Sequence, residues 1–196
     1  MMEGAHIAKQ VVNDYLQMDL PGRLVAFRNH WNVDDDDLPD PLEFKTFEPL
    51  AIDAWPMVYT VAITTNSFER IGYDLDSNPE YRTTYTMRTY VWAKDGSAEE
   101  CTLKRDRLST AIRSALLDHP SLNAADRLGC EPLIQEETLR EEFSDLTLIK
   151  GDRFMAGAYC GYNLSITETI TRRGYGELAE INLEVLPLPT PPDPNF

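Results

Sequence analysis

The feature that most constrains the fold is a strand, a tight turn and a helix that follow one another in residues 81–118. Along Tyr81–Lys94, residues suited to a core alternate with more polar residues, as is typical of a half-buried strand. Asp95-Gly96 then predicts a turn, and Ser97 followed by Glu100 matches a capping box that opens a helix. A helix joined so closely to a strand predicts a sheet on which that helix packs.

The two faces of this strand differ in chemistry. One face suits a helix-covered core and consists of Tyr81, Thr83, Tyr85, Met87, Thr89, Val91 and Ala93. The other face is polar apart from two large aromatics, with Arg82, Thr84, Thr86, Arg88, Tyr90, Trp92 and Lys94. Because rigid aromatic and arginine side chains are favoured in recognition surfaces, we predict that the second face contacts a partner.

The rest of the chain reads as a helix–strand mixture. We predict helices over residues 4–17 and 20–31 (the second capped by Asp19), a strand over 55–65 opened by Pro56, turns over 66–80, a short acidic helix or turn over 136–143, and strands over 156–172 and 178–186. The helix after Ser97 carries an apolar stripe of Leu103, Leu108, Ile112, Ala115 and Leu116. In the segment 136–143, Leu139 and Phe143 are the expected anchors.

This order of elements predicts one α+β domain over residues 1–186, with a mixed or antiparallel sheet covered by helices on one face. Five prolines in residues 187–196 predict an extended C-terminal arm. No apolar run approaches the roughly 20 residues that a membrane helix needs, so we expect no membrane partner. Three widely spaced cysteines form no zinc pattern and favour a reduced cytosolic compartment.

Charge is distributed unevenly along the chain, whose net charge is −15. Residues 82–113 hold seven basic and four acidic side chains and are therefore +3, which leaves −18 elsewhere. Such a balance excludes binding of nucleic acid through phosphate neutralisation. Solvated surface charge is the simplest interpretation, and a surface with two complementary faces for contacts between copies is the sharper one.

Residues that could carry chemistry give no complete site. His30 lies near four consecutive carboxylates, but an EF-hand loop beginning at Asp35 would need Gly where Asp40 stands and Glu where Thr46 stands. The glutamate pairs Glu136-Glu137 and Glu141-Glu142 could imitate an acid/base pair, but adjacent residues on a short surface helix point in different directions. The sequence has no nucleophile elbow around Ser109, Ser114 or Ser121 and no suitably placed histidine for Cys130 or Cys160. We therefore expect no enzyme, no metal and no cofactor, although a site assembled only in three dimensions remains an alternative.

The candidate subunit interface combines the basic segment, the aromatic face and the later acids. It comprises Arg82, Arg88, Tyr90, Trp92, Lys104, Arg105, Arg107, Glu136, Glu137, Glu141 and Glu142. A second set, Asp34, Asp35, Asp36 and Asp37, forms an exposed acidic loop.

The whole pattern resembles the tail terminator, or tail completion, proteins of long-tailed bacteriophages, particularly those of actinobacterial phages. The matching pieces are the N-terminal helices, the loop LPDPLEF, the strand WPMVYTV, the block YRTTYTMRTYVWAKDGSAEECTLKRDRLSTAIRSALLDHP, the segment LREEFSDL and the strand AGAYCGYNLSITETITR. The likeness spans about residues 5–172. The acidic loop 34–41 and the arm 187–196 have no counterpart in that pattern.

The resemblance implies a non-enzymatic α+β subunit of the virion. It would form a homo-hexameric ring at the head–tail junction after assembly in the host cytoplasm, stop tube growth and join the tail to the head. Its partners would be its own copies, the major tail tube protein and the head-completion or connector protein. Phage DNA would pass through the lumen without specific binding, and Asp34–Asp37 are candidate lumen residues. The alternatives are another neck, connector or minor tail protein and, from a different class, a small cytosolic enzyme.

Overall fold

The computed structural model describes residues 4–49, 54–123, 130–144, 147–149 and 153–170. Within these ranges the elements are α1 (Ala5–Trp31), β1 (Glu43–Lys45), β2 (Met57–Tyr73), β3 (Pro79–Asp95), α2 (Ala98–Asp118), β4 (Leu133–Phe143), β5 (Thr147–Ile149) and β6 (Arg153–Thr169). The predicted strand 178–186 and arm 187–196 lie outside the described residues. The α+β class is confirmed.

One mixed sheet contains all of these strands. Its order is β1-β2-β3-β6-β4, and β5 pairs with the beginning of β6. β1 runs parallel to β2, and the other neighbours are antiparallel. The β3–β6 pairing is unbroken from Glu80 opposite Thr169 to Asp95 opposite Phe154, whereas the β2–β3 pairing shifts register three times.

Both helices pack on one face of the sheet, as predicted. Along β3, six of the seven residues assigned to the core face are buried, namely Thr83, Tyr85, Met87, Thr89, Val91 and Ala93, and Thr84 of the other face is buried as well. Tyr162, Leu164 and Ile166 continue the same core on β6. The helices contribute Val12, Leu16, Leu20 and Leu24 from α1, and Leu108, Ile112 and Leu116 from α2. We call the opposite side of the sheet the outer face.

The prediction of two N-terminal helices is wrong. α1 is one helix of 27 residues with Pro21 inside it, and Asp19 pairs with Arg23 at 2.8 Å instead of capping a second helix. Leu16, Leu20 and Leu24 are fully buried at a spacing of four, so core packing keeps the helix continuous. Pro21 itself is exposed, where water can bond the carbonyl that the missing proline N–H leaves unpaired.

The predicted turns over residues 66–80 are also wrong. β2 continues to Tyr73 and only Asp74–Asn78 turns, with the Asp74 side chain accepting bonds from the backbone N–H groups of Asp76 and Asn78. The turn-forming residues upstream are accommodated by register shifts in the strand. Pro56 does directly precede the strand, as expected.

The acidic segment 136–143 is a strand instead of a helix or turn. It belongs to β4, which is irregular between Gln135 and Arg140 in its pairing with β6. Leu139 packs against the core, but Phe143 is exposed and is no buried anchor. Partner pairing along β6 outweighs the weak strand propensity of glutamate.

The predicted strand–turn–helix joint is confirmed. The Ser97 side chain accepts a hydrogen bond from the Glu100 backbone N–H at 3.4 Å, and Asp95 accepts from the Ser97 N–H at 3.2 Å. The second half of the capping box is therefore supplied by Asp95 instead of Glu100. In the apolar stripe Leu103 is exposed, and Cys101 is buried in its place. Neither helix of the described residues is long and apolar enough to cross a membrane.

Candidate functional site: the outer face of the sheet

Aromatic side chains from the adjacent strands β2, β3 and β6 stack on the outer face of the sheet. The Tyr90 ring stacks on Tyr59 at 4.7 Å between centroids and packs at a tilt against Tyr159 at 5.0 Å. Trp92 donates its indole N–H to the Tyr59 hydroxyl at 3.4 Å. We call Tyr59, Tyr90, Trp92 and Tyr159 the aromatic cluster. These mutual contacts hold the cluster in place with little freedom for the rings to move.

Arg88 lies over this cluster. Its guanidinium is 4.6 Å from the Tyr159 ring centroid and donates to the Tyr90 hydroxyl at 3.4 Å. The hydrogen bond to Tyr90 raises the pKa of Arg88, and a hydrogen bond with Glu142 raises the pKa of Tyr159. Arg88 therefore stays charged. The outer face presents this guanidinium above the Tyr159 ring, with the carboxylate of Glu142 beside it.

Trp92 can lie flat on the sheet because a glycine stands beside it. A Cβ atom at Gly157 would come within 2.8 Å of the Trp92 ring, closer than any real contact allows. Gly161 lies on the same face of β6, but a Cβ there would be 3.6 Å from the Arg140 Nε, which is an ordinary contact. Gly157 is therefore the glycine that lets a bulky neighbour approach the backbone closely.

Small polar side chains cross the middle of the outer face from strand to strand. Asn66 donates to the Thr86 hydroxyl at 2.7 Å and to the Asn163 side-chain oxygen at 3.0 Å. Asn163 in turn donates to Gln135 at 3.3 Å. A shallow cleft of about 470 Å³ borders this row where β4 departs from β6, and Arg140 and Glu137 lie at its rim. The middle of the outer face is therefore polar, and hydrogen bonds between the strands hold its side chains in place.

The basic residues of α2 that sequence reasoning placed in the interface make contacts within the chain. Lys104 pairs with Asp95, and Arg105 stacks on Phe143 at 5.0 Å while donating to the Ser144 carbonyl. Arg107 donates to the Asp37 carbonyl at 3.3 Å. A contact with another copy through these basic residues would have to share or replace the contacts that they make within the chain. Arg82, Glu136 and Glu137 are exposed on the sheet.

The acidic loop is tied to arginines on both helices. Arg28 pairs with Asp40 at 2.7 Å and with Asp35 at 3.1 Å, and Asp34 accepts bonds from the backbone N–H groups of Asp36 and Asp37. The mutual repulsion of these carboxylates is thus partly offset within the chain. His30 is exposed, and among the described residues no three His, Cys, Asp or Glu side chains come together to hold a metal ion.

Glu141 differs from its neighbour Glu142 because it points to the helix side of the sheet. Its carboxylate accepts a hydrogen bond from Ser109 at 2.6 Å and pairs with Arg113. Cys160 lies beside this group, and burial raises the pKa of its thiol to about 12. A thiol so hard to ionise is a poor nucleophile, and the pKa values of buried Cys101 and Cys130 are raised by the same cause.

Replacing Glu141 with Ala is expected to lower the free energy of unfolding by about 1–3 kcal/mol, because the buried Ser109 hydroxyl loses its acceptor. Arg113 is half-exposed and can turn to water, which limits the loss. Urea denaturation measures the effect. Glu137→Ala, on the same strand but exposed, should change stability by less than about 0.5 kcal/mol. Equal effects of the two substitutions would contradict the assignment of Glu141 to the helix–sheet contact.

Sequence reasoning identified Arg88, Tyr90 and Trp92 but missed Tyr59 and Tyr159, which complete the cluster. A signal for Tyr159 was present, because glycines two residues before and after it indicate close approach by neighbouring strands. Tyr59 had no such signal in the sequence, because its stacking on Tyr90 depends on the pairing of β2 with β3.

Comparison of the chain with models of known protein families gives no match. Comparison with curated proteins gives no significant match either.

Proposed function

We propose that the protein is a structural subunit of a long-tailed phage virion. In this proposal it forms a ring on the head-proximal end of the tail tube, ends tube growth and joins the tail to the head connector. The order of sequence features described above supports this function, and so does the α+β class of the fold. The observation that carries the proposal is the outer face, on which Arg88 and the aromatic cluster are held in place.

Such a face suits assembly for an energetic reason. Binding costs free energy when mobile side chains become ordered at the interface, about 0.5–1.5 kcal/mol for each long side chain. Arg88, Tyr90 and Trp92 already have intramolecular partners, so little further order is needed when a neighbour docks. Tyrosine, tryptophan and arginine are also the residues that contribute most to the binding energy of protein interfaces.

Charge supports the same function. Six copies of a chain with net charge −15 would carry −90 in all, more than contacts between subunits could neutralise. Acidic residues such as those of Asp34–Asp37 would then remain on free surfaces, including the lumen. Repulsion prevents DNA phosphates from adhering to an acidic wall. At physiological ionic strength, salt screens this repulsion at distances beyond about 8 Å.

The proposal is tested by electron microscopy of particles made without this protein. We expect tails longer than normal, or of irregular length, that are not joined to heads, because nothing ends polymerisation of the tube. Supplying the protein in trans should restore both the normal length and joining, which controls for effects on neighbouring genes.

Two other outcomes would reject the terminator function. Tails of normal length that fail to join heads would assign the protein to the neck or connector instead. Normal tails joined to heads would exclude both assignments and favour the enzyme alternative.

A further inference from the structure

One long edge of the sheet has no strand beside it within the described residues. β1 pairs only with Met57–Tyr59, so β2 continues from Thr60 to Tyr73 with its outward backbone groups unpaired by any described strand. An edge of this length is a template for pairing with a further strand.

The side chains along this edge are unusually apolar for an exposed strand. Ile63, Phe68, Ile71 and Tyr73 are 42–53% exposed. The only charges between residues 60 and 73 are Glu69 and Arg70, which balance each other. Proteins usually protect free edges with charges or prolines, and this edge has little of either.

The opposite edge of the sheet, β4, is built differently. It carries Glu136, Glu137, Glu141 and Glu142 against one basic residue, Arg140, and its pairing with β6 is interrupted after Gln135. Four glutamates and an irregular strand disfavour pairing with a further acidic segment. Of the two edges, β2 is the one suited to receive such a strand.

The chain itself supplies a suitable segment after β6. Residues 178–186 read LAEINLEVL, in which apolar Ile181, Leu183 and Val185 alternate with Glu180, Asn182 and Glu184. This pattern is typical of a strand with one apolar face. Its acidic face would be repelled by β4 but not by the electrically balanced edge of β2.

The exit point of the chain fits the same pairing. The Ile170 N–H bonds the Pro79 carbonyl, and Pro79 lies opposite Tyr73, so β6 ends level with the far end of β2. From β6 to the outside of β2 is three strand spacings, about 14 Å. Residues 171–177 can span about 23 Å when extended. A chain that crosses there and turns back would run antiparallel to β2.

We propose that residues 178–186 add to the sheet as a strand, antiparallel to β2 and in the same chain, and cover the apolar edge between Thr60 and Tyr73. This inference does not depend on the proposed function. It assigns an intramolecular role to a segment that the resemblance to tail terminators does not cover.

Hydrogen–deuterium exchange of the full chain, read by mass spectrometry, tests the proposal. In the unmodified chain, the outward amides of residues 60–73 should be protected. In the double variant Ile181→Asp and Val185→Asp these amides should exchange at least tenfold faster, while peptides from α2 and β6 keep their rates. The matched control, Glu180→Gln with Glu184→Gln, changes the other face of the segment and should leave the exchange of β2 unaltered.

The proposal fails if every second amide of residues 60–73 exchanges in the unmodified chain at the rate of an unstructured peptide, whatever the variants do. It also fails if the variant accelerates exchange in β4 instead of β2. Protection of β2 that disappears on dilution would show that the covering strand comes from a second copy, which overturns the intramolecular arrangement.

Discussion

Replacing Arg88 with Glu is expected to reduce particle assembly by more than tenfold while leaving the subunit folded. The substitution removes the cation above Tyr159 and places a second carboxylate near Glu142. A central residue of the proposed interface would contribute about 2 kcal/mol or more to binding, roughly thirtyfold in affinity, so the yield of infectious particles should fall by more than tenfold. Loss of the cation–π contact costs the isolated subunit only about 0.5–1 kcal/mol, or about 1–4 °C in melting temperature.

The measurement is complementation of a phage that lacks the protein, together with thermal unfolding of the purified variant. Arg153→Glu is the matched control, because Arg153 is an exposed arginine at the beginning of β6, away from the aromatic cluster. Trp92→Ala is a less clean probe, since Trp92 packs over Gly157 and donates to Tyr59 and should destabilise the subunit as well. Full complementation by Arg88→Glu would remove the outer face from the proposed interface.

The second large effect is a steep loss of stability at alkaline pH. Burial raises the pKa of Tyr15 to about 12, and burial also raises the pKa values of Tyr162 and Tyr85. The Tyr15 hydroxyl donates to the Ala115 carbonyl at 2.8 Å, and that of Tyr85 donates to Glu168 at 2.6 Å. Each of these groups stays protonated in the folded protein at a pH where it ionises in the unfolded chain.

Above pH 10 the folded state therefore binds more protons than the unfolded state, and stability must fall as pH rises. Three such tyrosines should remove roughly 4 kcal/mol between pH 9 and pH 11. The buried thiol of Cys160, whose pKa is also raised, adds to this loss because an unfolded cysteine ionises at a lower pH than tyrosine. Urea denaturation across this range measures the slope. In Tyr15→Phe, the slope of the unfolding free energy against pH should be smaller by the contribution of one proton. An unfolding free energy independent of pH up to 11 would contradict the burial of these hydroxyls.

Local signals in the sequence predicted the joint from β3 to α2 well. The alternation of β3, the turn after it and the Ser97 cap all act over a few residues, so they could be inferred without knowledge of the rest of the chain. The same holds for the core face of β6, where Tyr162, Leu164 and Ile166 are buried. In these segments local preference and tertiary packing agree.

The errors occurred where tertiary contacts override local preference. Pro21 predicts a helix boundary, but three leucines packed on the sheet keep α1 continuous through it. The glutamates of β4 predict a helix, but pairing with β6 makes them a strand. In the candidate site, Arg88, Tyr90 and Trp92 followed from alternation alone, whereas the contact of Arg107 with the acidic loop depends on how α2 packs.

The unbroken pairing of β3 with β6 also determines when the fold can be completed. Glu80 lies opposite Thr169, and Asp95 lies opposite Phe154. These partners are roughly 60–90 residues apart in sequence, so closing the sheet is entropically costly and should be slow compared with forming α2 or the β2–β3 hairpin. During synthesis, β3 has only β2 beside it until the ribosome has made the last described strand. A nascent chain therefore has no finished outer face, because Tyr159 arrives with β6. The docking that we propose for this face could begin only after translation has passed that point.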